Sequence, residues 1–219
     1  MEKQINFTRL LDSGLVAVIR RPDVDKVFHI AEALVNGGVG ALEITVDTPS
    51  VYQLIHELKE KLSDRVLVGA GTVLDPKTAE TAIEAGADFI FSPNFNVETI
   101  QVTNKYDRIS IPGCMTPTEI VTAYQAGADL IKIFPGSTLG VQYIKELQGP
   151  LGHIPMMPTG GVTVENVGTF FKSGAVAVGV GGSLMDSKAI AEERYEILTE
   201  KALLFQKAIQ EAKKEKTQK

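Results

Sequence analysis

Two charged residues in this 219-residue chain, Lys132 and Glu43, fall inside segments that read as buried strands. Lys132 lies in Asp129-Leu130-Ile131-Lys132-Ile133-Phe134-Pro135, where strand alternation puts Leu130, Lys132 and Phe134 on one face and Ile131 and Ile133 on the other. A sheet covered on both faces offers neither side bulk water. The ammonium is then desolvated, its pKa falls, and the neutral amine that attacks carbonyls becomes populated. A plainer alternative is a structural lysine paired with a buried carboxylate or snorkelling to the rim. Glu43, in Ala41-Leu42-Glu43-Ile44-Thr45, is the matching carboxylate, and alone it could be a structural partner for Arg20. Facing one interior together, the two supply a nucleophile for imine formation and a proton shuttle.

Holding them there requires strands, and glycines mark where strands begin. Segments such as Glu84-Ala85-Gly86-Ala87-Asp88-Phe89-Ile90 and Gln125-Ala126-Gly127-Ala128-Asp129-Leu130-Ile131 run from a helical stretch through a glycine suited to a left-handed C-cap into an apolar run. This rule predicts strands over Leu15 to Arg20, Ala41 to Val46, Val66 to Gly71, Phe89 to Ser92, Ile109 to Pro112, Leu130 to Phe134, Met156 to Thr159 and Ala175 to Val180. Helices fill the gaps, with start signals at Thr48-Pro49, Asp75-Pro76 and Thr116-Pro117. Eight such units predict an α/β fold, a single (β/α)8 TIM barrel domain over residues 1–219. A short N-terminal helix before Leu15 closes its bottom, and a lysine-rich tail from about 212 to 219 reads as frayed.

Active sites of such barrels form at the C-terminal strand ends. Thr159-Gly160-Gly161-Val162 and Gly179-Val180-Gly181-Gly182-Ser183 end the last two strands, and glycine there lets backbone N–H groups approach an anion. An anion site at Gly160, Gly161, Gly182 and Ser183 is expected. Gly69-Ala70-Gly71-Thr72 lacks the spacing of a nucleotide loop. His29, His56 and His153 have no second imidazole at ligand spacing, so no metal is expected, and Cys114 reads as a packed thiol. Twenty-two Lys and Arg against 27 Asp and Glu give a net charge of −5, with no basic surplus for nucleic acid. The first residues lack a signal peptide's apolar core and no apolar run reaches bilayer length, so a cytoplasmic protein without a membrane partner is expected.

Seven motifs in order then make the chain recognisable: Gly37-Gly38-Val39 leading to Leu42-Glu43-Ile44-Thr45, Gly69-Ala70-Gly71-Thr72-Val73, Phe91-Ser92-Pro93, Ile111-Pro112-Gly113, Ile131-Lys132-Ile133-Phe134-Pro135, Pro158-Thr159-Gly160-Gly161 and Gly181-Gly182-Ser183. From about Leu15 to Met185 it resembles the 2-keto-3-deoxy-6-phosphogluconate (KDPG) aldolase family, also called 4-hydroxy-2-oxoglutarate aldolases. The resemblance implies that Lys132 is the Schiff-base lysine and Glu43 the proton-transfer residue. It implies that Thr72, Pro93 and Phe134 line the pyruvate pocket and that Thr159, Gly160, Gly161 and Ser183 hold the substrate phosphate. It also implies a homotrimer. One departure stands out, because family members carry an arginine four residues after the glutamate and this chain has Asp47. Arg20, ending the first strand, is placed to supply that charge, which would leave Asp47 a tolerant rim residue.

The expected activity is a class I aldolase that needs no cofactor and cleaves 2-keto-3-deoxy-6-phosphogluconate to pyruvate and glyceraldehyde 3-phosphate, with 4-hydroxy-2-oxoglutarate as a further substrate. The rivals are an aldolase for a stereoisomer such as the phosphogalactonate, another phosphate-binding barrel isomerase or epimerase, and a non-catalytic sugar-phosphate sensor.

Overall fold

In the computed structural model, which describes residues 2–217, strands and helices alternate along the chain. The strands are β1 (Leu15–Ile19), β2 (Ala41–Thr45), β3 (Leu67–Gly71), β4 (Phe89–Phe91), β5 (Ile109–Ile111), β6 (Gly113–Cys114), β7 (Ile131–Ile133), β8 (Met156–Pro158) and β9 (Val178–Val180). All pair in parallel, in the orders β5-β4-β3-β2-β1-β9 and β6-β7-β8. A bridge between Thr159 and Gly179 joins the β8 side to β9. The result is an α/β fold with a curled parallel sheet. Each expected strand is present, and past Pro112, where the fifth is expected to end, an unexpected short strand β6 follows. Proline has no N–H for the ladder, and there the chain leaves β4 and takes β7 as its partner.

Strand alternation sorts the core into two apolar clusters. Val16, Ala41, Leu67, Phe89, Phe91, Leu130 and Met157 form the inner one, while Ala17, Leu42, Ile44, Ile131 and Ile133 face the helices. Helix α1 (Glu2–Ser13) inserts Leu10 into the inner cluster, as expected of a bottom-closing helix. The other helices are α2 (Val27–Asn36), α3 (Val51–Leu62), α4 (Pro76–Glu84), α5 (Val97–Lys105), α6 (Pro117–Gln125), α7 (Gly136–Leu151), α8 (Val164–Lys172), α9 (Ser187–Ala191) and α10 (Glu196–Thr217).

Two of the three helix-start signals work as side-chain caps. Asp75 accepts from Thr78 N at 2.8 Å, and Thr116 and Glu119 form a capping box. Thr48-Pro49 does not start α3, because Thr48 is buried in a turn with its hydroxyl 3.3 Å from that of Thr45. The helix begins at Val51 instead. The C-terminal segment is also more ordered than its lysines suggest: α10 continues to Thr217, Ala212 is buried, and Lys213 donates to the carbonyls of Leu11 and Asp12. Residues 218 and 219 of the expected frayed tail lie outside the described residues.

The repeated Ala-Gly-Ala-Asp segments also tie neighbouring strands together. Asp88 accepts Val68 N at 2.9 Å and Asp129 accepts Ser110 N at 2.8 Å. Each carboxylate has a lysine, Lys59 at 2.8 Å from Asp88 and Lys3 at 2.9 Å from Asp129. Asp88 is almost fully buried, so Asp88→Ala would orphan both an amide and an ammonium. It should cost about 3–5 kcal/mol in urea unfolding. A loss below about 1 kcal/mol would show that the pair adds little.

Candidate active site

Register places Lys132 between Gly113 and Met157, and Glu43 between Val18 and Gly69. Only 5% of Lys132 and 1% of Glu43 is exposed. Lys132 Nζ lies 4.0 Å from the centroid of the Phe91 ring and 4.6 Å from that of Phe134. Ring faces attract an ammonium but do not replace its hydration. Burial therefore pulls the lysine down to about 8, with Glu43's charge opposing and Arg20's assisting. Burial pushes Glu43 up to about 7 against the pull of Lys132 and Arg20.

The two groups sense each other without forming an ion pair among the described residues, and Glu43 Oε2 has no hydrogen-bond partner. Gly71 makes this possible, since a Cβ there would overlap the Glu43 carboxylate. Arg20 is not the partner of Glu43. Its Nη2 donates to Thr72 Oγ1 at 3.3 Å, and its Nη1 stands 3.8 Å from Asp47 Oδ2.

The remaining expected residues gather at the same strand ends. Thr72 follows β3 with a left-handed φ of 59°, and the Pro93 backbone packs where a Cβ on Gly113 would fall. Thr159 follows β8, its Oγ1 buried and without a partner. A side chain at Gly161, whose φ is 70°, would approach Ser137 Cβ to 2.7 Å, so the loop beside the start of α7 requires glycine. Among the described residues, the backbone N–H groups of Gly161, Gly182 and Ser183 have no backbone partner outside the regular elements, whereas that of Gly160 faces Gly179 O in the bridge beside β8. The Ser183 hydroxyl is engaged: it donates to Val162 O and ties the two glycine loops together.

Asp47 is not a free rim residue. Arg21 Nε donates to its Oδ2 at 2.7 Å, and its carboxyl is held below the usual range by the Thr45 hydroxyl and the neighbouring guanidiniums. Sequence reasoning also passed over Phe91 and Gly71, although the alternation that orients Lys132 applies equally to Phe89-Ile90-Phe91 and Gly69-Ala70-Gly71. The three histidines are exposed, and burial pushes the Cys114 thiol up to about 12, so it is a packed group.

A desolvated amine beside a desolvated carboxylate at the strand ends of a parallel α/β fold is the equipment of an imine-forming lyase. The family model for KDPG and KHG aldolase matches residues 7–200, and the chain belongs to that family. It is a class I aldolase, an aldehyde-lyase. It is 35% identical over 199 residues to the 2-dehydro-3-deoxy-6-phosphogalactonate aldolase of Escherichia coli (strain K12), covering 90% of this chain and 95% of the relative. It is 34% identical over 179 residues to the 2-dehydro-3-deoxy-phosphogluconate aldolase of Pseudomonas aeruginosa, covering 81% and 79%. Among solved structures, a KDPG aldolase from Legionella pneumophila with pyruvate captured as a covalent carbinolamine superposes with a TM-score of 0.83 at 27% identity, over 90% of this chain and 96% of that one.

Burying Lys132 costs stability, and methionine would fill the same space between the two phenylalanine rings without a charge. Lys132→Met should therefore raise the stability by about 1–2 kcal/mol in thermal melts near neutral pH. A lower melting temperature would show that the lysine holds the fold together.

Proposed function

We propose that the chain cleaves 2-keto-3-deoxy-6-phosphogluconate reversibly to pyruvate and glyceraldehyde 3-phosphate. The reading rests on the buried and unbridged pair Lys132 and Glu43. Neutral Lys132 attacks the C2 carbonyl, and Glu43 carries protons as the carbinolamine loses water. As Glu43 takes the C4 hydroxyl proton, the C3–C4 pair moves toward the iminium nitrogen and the aldehyde leaves; Glu43 returns the proton to the enamine carbon, and water hydrolyses the iminium to release pyruvate and Lys132. Thr72, Pro93 and Phe134 border the pyruvate carbons, with Arg20 taking the carboxylate in place of the arginine absent at Asp47. The open amides of Gly161, Gly182 and Ser183, the Gly160 backbone beside them and the Thr159 hydroxyl suit the distal anion.

The strand pairing supports closure of the two sheets into an eight-stranded barrel, since β5 and β6 are one strand interrupted at Pro112 and the Thr159 bridge reaches β9. The homotrimer, the cytoplasmic setting and the absence of a cofactor are proposed with the family reading. No helix among the described residues is long and apolar enough to cross a membrane. The galactonate relative favours a second reading, in which the substrate is the C4 epimer.

Borohydride added with pyruvate should fix one reduced pyruvyl group on Lys132, located by peptide mass mapping. Label confined to surface lysines would contradict the mechanism. Lys132→Met should abolish trapping, whereas Glu43→Gln should still trap slowly while turnover falls by about two to four orders of magnitude. Cleavage rates of the two phosphorylated C4 epimers separate the substrate readings.

A further inference from the structure

A cavity of about 570 Å³, within the size range of small-molecule sites, opens beside the catalytic strand ends between β1, the loop after β9, α2 and α9. Neither Lys132 nor Glu43 lines it, but Arg20 does, and Arg20 also donates to Thr72 beside their site. Val18, opposite Glu43 in the β1–β2 ladder, forms part of its wall, and so do Gly181 and Gly182. Part of its wall is apolar, made by Ile30, Met185 and Ile190. Its charged lining is unbalanced, with Arg20, Arg21 and Lys26 against Asp23. Lys26 donates to Ile190 O and Ala191 O, at 3.1 and 3.3 Å, with Glu193 3.9 Å away, and Asp47 fixes Arg21. A three-carbon phosphorylated aldehyde is polar throughout and leaves that apolar wall uncovered.

We propose that this recess is an acceptor-side subsite for aldehydes carrying a short hydrocarbon segment that ends in a carboxylate, the hydrocarbon lying on Ile30, Met185 and Ile190 and the anion meeting Arg21 and Lys26. The inference rests on the aldolase reading. In the addition direction the enamine carbon derived from the pyruvate methyl attacks the aldehyde carbon. One C–C bond forms, the carbonyl π pair moves to oxygen and takes a proton from Glu43, and water hydrolyses the iminium to free Lys132.

The test uses pyruvate with three acceptors: glyceraldehyde 3-phosphate, adipate semialdehyde and hexanal. The parent should accept adipate semialdehyde with kcat/KM at least about tenfold above hexanal. Ile190→Trp, which fills the recess, should lower kcat/KM for adipate semialdehyde about tenfold or more while glyceraldehyde 3-phosphate stays within about twofold. Met185→Ala, which enlarges the recess, should change the adipate semialdehyde rate alone and serves if the tryptophan variant does not fold. Equal changes for both anionic acceptors, or a parent that does not use adipate semialdehyde, would overturn the subsite. Deuterium exchange at the pyruvate methyl reports the lysine chemistry separately. Exchange without acceptor discrimination removes only the subsite, and absence of exchange removes the aldolase reading with it.

Discussion

One amine and one carboxylate are taken out of water and denied an ion pair, and the rest of the structure serves that constraint. In water the ordinary values of lysine and glutamate, 10.5 and 4.5, stand six apart, whereas in this interior they stand about one apart, at 8 and 7. Burial thus brings the two closer together and makes moving a proton from the amine to the carboxylate much less costly than in water. A direct contact would restore the gap by favouring the charged pair. The separation enforced by strand positions, with Gly71 giving the carboxylate room, keeps the proton mobile. Between the two values the pair titrates as a unit, so the proton belongs to both.

The contrast with Lys59 and Asp88 shows what has been withheld. That pair is also largely buried, yet both carboxylate oxygens accept from the ammonium at 2.8 Å and one accepts a strand amide as well. It is satisfied, and it joins strands at the opposite end of the sheet. Lys132 has only ring faces around it, and Glu43 Oε2 has no partner. The fold therefore keeps fully bonded charges at its base and incompletely bonded ones at its catalytic end.

Much of this arrangement is legible in the sequence because period-two alternation is a strong signal. It orients Lys132 and Glu43, and the glycine punctuation marks the starts of strands such as β2, β4, β7 and β9. What depends on loop conformation is not legible. The Arg20, Arg21 and Asp47 cluster requires Arg21 at a left-handed φ of 45°, which nothing in the residue type announces. The Ser183 hydroxyl reads as an anion donor until the two glycine loops lie side by side and Val162 O takes it. The short strand β6 beyond Pro112 has no signal in the chain, where the strand reads as ending at the proline, and buried Thr48 occupies a turn where its proline neighbour signals a helix.

The central claim is best tested by following the Lys132 side chain by NMR from pH 6 to 12, its signal identified by its loss in Lys132→Met. The account predicts titration near 8, and a still lower value in Glu43→Gln, because the carboxylate's charge favours the ammonium. Titration near the ordinary 10.5 in the parent, or an upward move in Glu43→Gln, would contradict it.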